Sequence, residues 1–279
     1  MYLITGASGN IGGHIARQLL QAGHPVRVFT RDPARLGELA GQVEIAGGDF
    51  SSPDTLGAAA SGAEAVFLNT GPNPADLPGL LAQLRANGAP RVVFLSSILA
   101  GDEEFFLGRM HRANEDALHA SGLPAVVLRP SGFMSNTLRW ADSIRADGVV
   151  YNAMGTGKAP MIAPEDIAAV AVRGLLDPAL AGATLELTGG QLLNVPEQVA
   201  ILSEVLGRNL RSVDVTIEQT VQGLAASGIP EAIARGVAQS LEAVRDGRGR
   251  AMTPTVERIT GALPRSFDSW VRGNAASFA

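Results

Sequence analysis

The sequence predicts an α/β fold, a doubly wound parallel sheet joined to a smaller, mostly helical lobe. Three observations predict it. Short β-branched runs alternate with helix-length amphipathic stretches through the first half of the 279 residues. That is the pattern of βαβ units with right-handed crossovers. The strand runs are apolar on both faces, as expected where helices cover both sides of a sheet. Finally, a glycine-rich turn, Gly6-Ala7-Ser8-Gly9-Asn10-Ile11-Gly12, leaves the first strand and opens the first helix, as in a dinucleotide-binding Rossmann unit.

Strands are expected at Tyr2–Thr5, Val26–Thr30, Val43–Ala46, Ala65–Leu68, Arg91–Ser96 and Ala125–Leu128, with helices near Ile11–Ala22, Pro33–Leu39, Asp54–Ala60, Asp76–Ala86 and Arg109–Ala120. Asp32-Pro33 and Ser52-Pro53 each read as an N-cap followed by proline at the first helical position. Gly23, Gly88 and Gly122 stand where helices must stop. After Pro130 the rhythm changes. Residues Ser131–Pro164, rich in Gly, Asn, Ser and Met, read as loops around a cleft. A helix from Pro164, a strand near Thr184–Leu187 and a helix from Pro196 follow. From Thr216 the pattern is nearly all helical, broken at Gly228-Ile229-Pro230 and at Asp246–Arg250. The division expected is a dinucleotide-binding domain over 1–130 and cleft loops with a substrate lobe over 131–279, some segments of which return to the sheet domain.

Composition narrows the function. No window is long and apolar enough to span a bilayer, and the chain opens directly on a strand with no export leader. With no cysteine, disulfides, thiol catalysis and thiolate metal sites are excluded together, and a cytoplasmic setting is expected. A net charge of −5 without a basic stripe argues against nucleic acid as a partner. His14, His24, His111 and His119 lack metal-ligand spacing, so no metal is expected. A small molecule is the expected partner, with a homodimer the one assembly kept open.

In the turn, Gly6 permits the tight exit from the strand, Gly9 lets backbone N–H groups approach phosphate oxygens, and Gly12 lets the helix pack closely. Ser8, Asn10 and Ile11 complete the cradle, and the helix N-terminus offers uncancelled donors to a pyrophosphate. Selectivity for NAD usually comes from a carboxylate at the end of the second strand. Here Thr30-Arg31 stands there. A guanidinium pairs well with a 2′-phosphate, which favours NADP(H), with NAD(H) the lesser alternative. Asp32 competes as a ribose ligand, but its place before Pro33 is better explained as a helix cap.

These features, with several strand-end stretches, resemble the NmrA-like atypical short-chain dehydrogenases/reductases of the quinone oxidoreductase and triphenylmethane reductase type. The stretches are Gly48-Asp49-Phe50, Asn69-Thr70-Gly71, Ser96-Ser97, Leu128-Arg129-Pro130-Ser131-Gly132-Phe133-Met134-Ser135-Asn136, and Pro264-Arg265-Ser266-Phe267 through Trp270 to Phe278. The resemblance implies that Asp49 and Phe50 lie at the adenine, and that Asn69, Thr70, Gly71, Ser96, Pro130 and Phe133 line the cofactor. Phe133, Met134 and Asn136 are implied at the substrate cleft, with plain apolar filling as the alternative for Phe133 and Met134.

Ordinary members of that superfamily use a Tyr-x-x-x-Lys pair, the tyrosine as general acid. Neither Tyr2 nor Tyr151 stands four before a lysine. With Glu115 giving the register, the lysine position is His111 and the tyrosine position is Leu107. His111 can donate a proton or hold a ribose hydroxyl, or be a helix-face histidine. Ser96 and Ser97 end a strand on the side where ligands bind, with a strand-end turn as the alternative, and His111 and Ser97 are the catalytic candidates. Glu115 reads as a helix-face carboxylate, His14 as solvent-facing, and Asp166 as a helix-start residue favoured by the dipole. Gly155-Thr156-Gly157-Lys158 lacks the distal glycine and the hydroxyl residue of a P-loop, which leaves Lys158 solvated or at the cleft rim.

The function expected is an NAD(P)H-dependent oxidoreductase that reduces a quinone or related aromatic carbonyl compound by hydride transfer without a Tyr-Lys pair. A non-catalytic NADP(H)-sensing regulator and a tailoring reductase of secondary metabolism are the alternatives.

Overall fold

The computed structural model describes residues 1–89, 91–249 and 251–279. Seven strands form its main sheet: β1 (Tyr2–Thr5), β2 (Val26–Thr30), β3 (Glu44–Gly47), β4 (Ala65–Leu68), β5 (Val92–Leu95), β6 (Ala125–Pro130) and β8 (Thr184–Leu187). Their order is β3-β2-β1-β4-β5-β6-β8, and every pairing is parallel. Connections run outward in both directions from the β1–β4 pair. The C-terminal ends of those two strands therefore border the crevice where ligands bind in such sheets.

Alternation along each strand assigns its two faces. Ile4, Phe67, Val93 and Val126 pack under α1 (Asn10–Gln21) and α6 (Pro164–Leu176). Leu3, Val66, Phe94 and Val127 pack under α2 (Pro53–Ala60), α3 (Leu77–Ala86) and α4 (Phe106–Ala120). The helices answer at their own period: Ile11, Ile15 and Leu19 form one stripe of α1, and Ile167, Val170, Ala171 and Leu175 one stripe of α6. Each such fully buried side chain contributes about 2 kcal/mol of transfer free energy.

Segments of the second half return to this body. Helix α6 packs along α1, and β8 closes the sheet beside β6. The rest of the lobe is α5 (Ala141–Asp147), β7 (Val149–Asn152), α7 (Val195–Leu206), β9 (Arg211–Asp214) and α11 (Phe267–Asn274), with α10 (Thr255–Thr260) against α6 and β8. Met134, Ile144, Val150, Leu202, Phe267, Trp270 and Phe278 form its core. Helices α8 (Ile217–Ala226) and α9 (Glu231–Arg245) make a separate hairpin, turned at Gly228 with φ +83°.

Three expectations need correction. Residues 131–164 are not all loop: Met134–Trp140 winds as a 3₁₀ turn and continues into α5 and β7. The buried Met134, Ala141, Ile144 and Val150 drive this, but the elements are too short to show periodicity. Strand β9, which pairs with β7 in a two-stranded parallel sheet, escaped notice because Arg211-Ser212-Val213-Asp214 offers one apolar residue. Pro33–Gly41 is a 3₁₀ segment interrupted at Gly37, whose φ of +56° and ψ of −134° no helix accommodates. The expected break after α9 begins at Asp246, with Gly247 and Gly249 at positive φ. Arg250 lies outside the described residues.

Candidate functional site: a dinucleotide crevice with a buried Glu–Arg pair

The turn after β1 is built for close approach. Gly6 has φ +67°, and its carbonyl accepts the Gly9 N–H at 3.0 Å. Gly9 is extended and caps α1 without a side chain. The Gly13 N–H donates to the Gly9 carbonyl at 3.2 Å, so the donors of Asn10, Ile11 and Gly12 precede the first intrahelical bond. A Cβ on Gly12 would stand 2.5 Å from the Gly6 carbonyl oxygen and 2.8 Å from that of Thr5. Ser8, Gly9 and Asn10 are exposed, while Ile11 anchors the turn in the core. This cradle fits a pyrophosphate, because Gly6 takes a positive φ, Gly12 has no room for a Cβ, and the first-turn N–H groups of α1 have no intrahelical partner.

Thr5 fastens the turn to the neighbouring strand end. Its hydroxyl donates to the Phe67 carbonyl at 3.0 Å and accepts the Asn69 N–H at 2.9 Å. Asn69 in turn accepts the Gly71 N–H through Oδ1 at 3.3 Å, and Gly71 adopts φ +73°. Asn69, Thr70 and Gly71 are half-buried and border the crevice directly. One turn of chain later, the Asn114 amide of α4 donates to the Pro72 carbonyl at 3.1 Å. This ties α4 to the same loop.

At the end of β2, Arg31 is 77% exposed, and its Nε lies 3.4 Å from Asp49 Oδ2. The Ser51 N–H donates to Asp49 Oδ1 at 2.7 Å. Hydrogen bonds from Ser51, followed by the Arg31 charge, hold the Asp49 carboxyl below its ordinary range. Phe50 stacks on Phe29 with ring centroids 5.6 Å apart. Asp32 accepts the Ala34 N–H at 3.0 Å, which is the capping role, so its carboxylate is engaged with its own helix start.

The other end of the crevice is bordered by β5, β6 and α4. Here Glu115 is fully buried, a correction to its reading as a helix-face carboxylate. It accepts two hydrogen bonds from Arg129, Nε to Oε1 at 2.9 Å and Nη2 to Oε2 at 2.6 Å. The Ser96 hydroxyl donates to Oε1 at 2.5 Å, and Arg112 Nη1 lies 3.9 Å from Oε2. Burial alone would raise the Glu115 carboxyl, but the hydrogen bonds and charge of Arg129 and the Ser96 bond outweigh it and hold it low. Ser96 is thus buried with its proton directed at Glu115. Ser97 is half-buried, and its oxygen accepts the Leu99 N–H at 3.2 Å. That bond leaves its proton free to donate.

His111, one turn before Glu115, is half-buried, and its Nδ1 is enclosed without a hydrogen-bond partner among the described residues. Burial lowers its pKa, with Glu115 opposing, so the ring is neutral at pH 7. Pro130 is buried at the end of β6, Phe133 is half-buried beside Ile162, and Asn136 is exposed. Met134 is 1% exposed within the lobe core. There it is apolar filling, the alternative the sequence kept beside a place at the substrate cleft.

Other corrections concern charges. His14 does not face solvent: it lies half-buried with Nε2 3.7 Å from Glu165 Oε1, and burial lowers its pKa. Asp166 stands in the first turn of α6, as its reading as a helix-start residue expects, and it is also buried there, accepting Arg265 N and Nη1 at 2.7 and 2.9 Å. Lys158 pairs with Glu197 at 2.5 Å. Gly157, in the same glycine pair, admits α9, because a Cβ there would stand 2.2 Å from the Val244 carbonyl oxygen. Sequence reasoning gave no role to Thr5, Asn114 or Arg129. Their partners are 14 to 64 residues away, and no local pattern marks them.

A family model described as NAD(P)H-binding matches residues 6–178, more than half of the chain. The (4-alkanoyl-5-oxo-2,5-dihydrofuran-3-yl)methyl phosphate reductase of Streptomyces griseus is 37% identical over 282 residues, spanning 100% of this chain and 99% of that protein. The NAD(P)H azoreductase of Xenophilus azovorans is 33% identical over 283 residues, with 100% and 99% covered. Among solved structures, the NADPH-dependent quinone oxidoreductase of Escherichia coli complexed with NADPH superposes with a TM-score of 0.86 at 23% identity, covering 99% of this chain and 100% of that one. This likeness establishes the shared fold. The chain belongs to the NAD(P)H-binding family and is related to reductases along its whole length.

Proposed function

We propose that the protein is an NADPH-dependent reductase acting on a flat, electron-poor conjugated acceptor, with a quinone or aromatic carbonyl compound as the substrate class. The observation that carries this reading is the Asn114–Pro72 tie. It joins the helix bearing His111 to the loop beside the phosphate turn, so that a dinucleotide on α1 and the candidate proton-donating groups share one crevice.

Gly6, Gly9, Gly12 and the first-turn N–H groups would hold the pyrophosphate, and Arg31 the 2′-phosphate. NADPH, when bound, supplies a hydride. The chain's own residues orient and protonate. Ser97 donates a hydrogen bond to the acceptor's oxygen, and the neutral His111 ring supports it without adding a fixed charge. Phe133, Asn136 and Pro130 border the substrate side.

Leu107, at the tyrosine position, is buried. Tyr2 sits at the opposite end of the sheet and donates to Glu64 at 3.2 Å, while Tyr151 is exposed on β7. A tyrosine acid is thus absent from the reading. A substrate whose reduced oxygen is weakly basic tolerates that loss, because little proton transfer is needed in the transition state. Two related reductases are named for an azo group and for an acyl-dihydrofuranone phosphate, which supports a conjugated acceptor as the substrate class.

Rapid mixing of the NADPH-loaded protein with a panel of quinones, aromatic ketones and azo compounds tests the reading. Oxidation of NADPH by at least one conjugated acceptor, with simple aliphatic ketones inert, is expected. Tight NADPH binding with no acceptor accelerating its oxidation would instead favour a cofactor sensor.

A further inference from the structure

The hairpin of α8 and α9 has a small core of its own: Val221, Ala234 and Ala238, with Ile217, Leu224 and Ile229 packed around them. It meets the rest of the molecule where Gly157 admits the C-terminal end of α9 and, through polar bonds, at the β5–α4 connection and the first turn of α4. Helix α4 needs an external fastening there, since Phe105 at its N-cap provides no side-chain hydrogen bond. The missing acceptor comes from α9, 133 residues away: Gln239 Oε1 accepts the Phe106 N–H at 3.0 Å. The same amide donates through Nε2 to the Glu104 carbonyl at 3.1 Å. One turn earlier on α9, Gly236 leaves room for α4, for a Cβ there would stand 2.8 Å from Leu107 Cγ and 3.0 Å from Phe106 Cδ1. Beyond α9, Arg248 reaches the same connection. It pairs with Glu104 at 2.9 Å and Asp102 at 3.7 Å, and its guanidinium lies 4.7 Å from the Phe105 ring centroid.

From this we infer that the α8–α9 hairpin is a cover over the substrate end of the crevice and that Gln239 is the positioning residue that latches it. The inference rests on the reductase reading above, which places Ser97 and His111 at that end. A unit with few apolar attachments and a polar latch belongs to the low-stability part of a fold, the part that opens first. Gln239 couples that opening to the helix bearing His111, because releasing the amide uncaps α4 in the same step. Residue 107, buried against Gly236, then takes part in closure instead of proton transfer.

The test uses the full chain as wild type, Gln239→Ala and Gln239→Glu. Three quantities are read: NADPH affinity, quenching of bound NADPH fluorescence by acrylamide, and amide exchange over Phe106–Arg109 and Ile217–Arg245. In Gln239→Ala both segments are expected to exchange about fivefold to tenfold faster, the loss expected for one or two hydrogen bonds. Acrylamide quenching should rise while NADPH affinity changes by less than about twofold, since the phosphate turn is untouched. Gln239→Glu keeps the acceptor for Phe106 but loses the donor to Glu104. It should restore protection over Phe106–Arg109 and leave quenching high. Unchanged quenching and hairpin exchange in Gln239→Ala would overturn the latch, as would a fall in NADPH affinity as large as the rise in quenching. A wild type that binds no NADPH would instead bring down the reductase reading, and the exchange of the two segments would still decide the latch.

Discussion

Arg129 grips Glu115 with two hydrogen bonds of 2.9 and 2.6 Å where α4 meets the ends of β5 and β6, with the carboxylate wholly shielded from water. The pair joins a helix to two strands across the substrate end of the crevice, and it takes up the Ser96 hydroxyl as well. Removing one member of such a pair leaves a buried charge uncompensated, which costs about 3–5 kcal/mol, whereas replacing both by apolar groups is often nearly neutral. Glu115→Ala should therefore lower the urea midpoint strongly. The double change Glu115→Leu with Arg129→Met should recover most of the loss. Equal stability of the single variant and wild type in urea unfolding would refute the assignment.

At the phosphate turn, Gly12→Ala should weaken dinucleotide binding by roughly tenfold or more, because an overpacked contact costs about 1–3 kcal/mol. The clash is with backbone oxygens of Thr5 and Gly6, which cannot move aside as a flexible side chain would. Titration of NADPH fluorescence measures it, with Gly37→Ala as a control. Residue 37 is far along the chain from the turn, and nothing would meet its Cβ, although its positive φ costs some stability. Undiminished affinity in Gly12→Ala would count against this turn as the cradle.

Arg31→Ala should weaken NADPH binding by about tenfold, the value of one charge-assisted hydrogen bond to the 2′-phosphate, and leave NADH binding nearly unchanged. The side chain is exposed and its one ion pair among the described residues is to Asp49 at Nε, so its removal disturbs little else. Equal loss for both dinucleotides would assign Arg31 a structural task and reopen the choice of cofactor.

Stability should decline as pH falls from neutral. In the unfolded chain an imidazole takes its proton near pH 6.5. Burial defers that event in folded His111 and His14 to lower pH. Between those values the unfolded state binds more protons, and the native state loses ground. Glu115, held below its ordinary range, extends the same trend into more acidic solution. Thermal melts should thus show the highest midpoint near neutrality, and His111→Gln should flatten the slope between pH 7 and about pH 5.5. A midpoint that climbs on acidification would contradict the placement of both rings.

The sheet was legible because β1, β4, β5 and β6 carry largely apolar runs at βαβ spacing, and the phosphate turn because its glycines sit between strand and helix in a fixed order. Helix starts were readable in part: Asp32 accepts the Ala34 N–H as its place before Pro33 implies, whereas Ser52, also read as a cap, precedes its helix and the proline but makes no side-chain bond to it. What could not be read were relations between distant residues. Glu115 reads as a helix-face carboxylate because nothing local announces Arg129 on the next strand. His14 looked solvent-facing because its cover, Glu165, arrives from α6. The lobe was less legible than the sheet for a different reason. Its elements, such as the four residues of β9, are too short for a period to emerge.

The most direct test of the account is the oxidation rate of protein-bound NADPH carrying deuterium at C4, mixed in a single turnover with the best acceptor of the panel. The account predicts acceptor-dependent oxidation slowed by a primary isotope effect, lost in Gly12→Ala at matched cofactor concentration. Bound NADPH that no acceptor oxidises, or oxidation indifferent to the isotope with a chemical step shown to limit the rate, would contradict it.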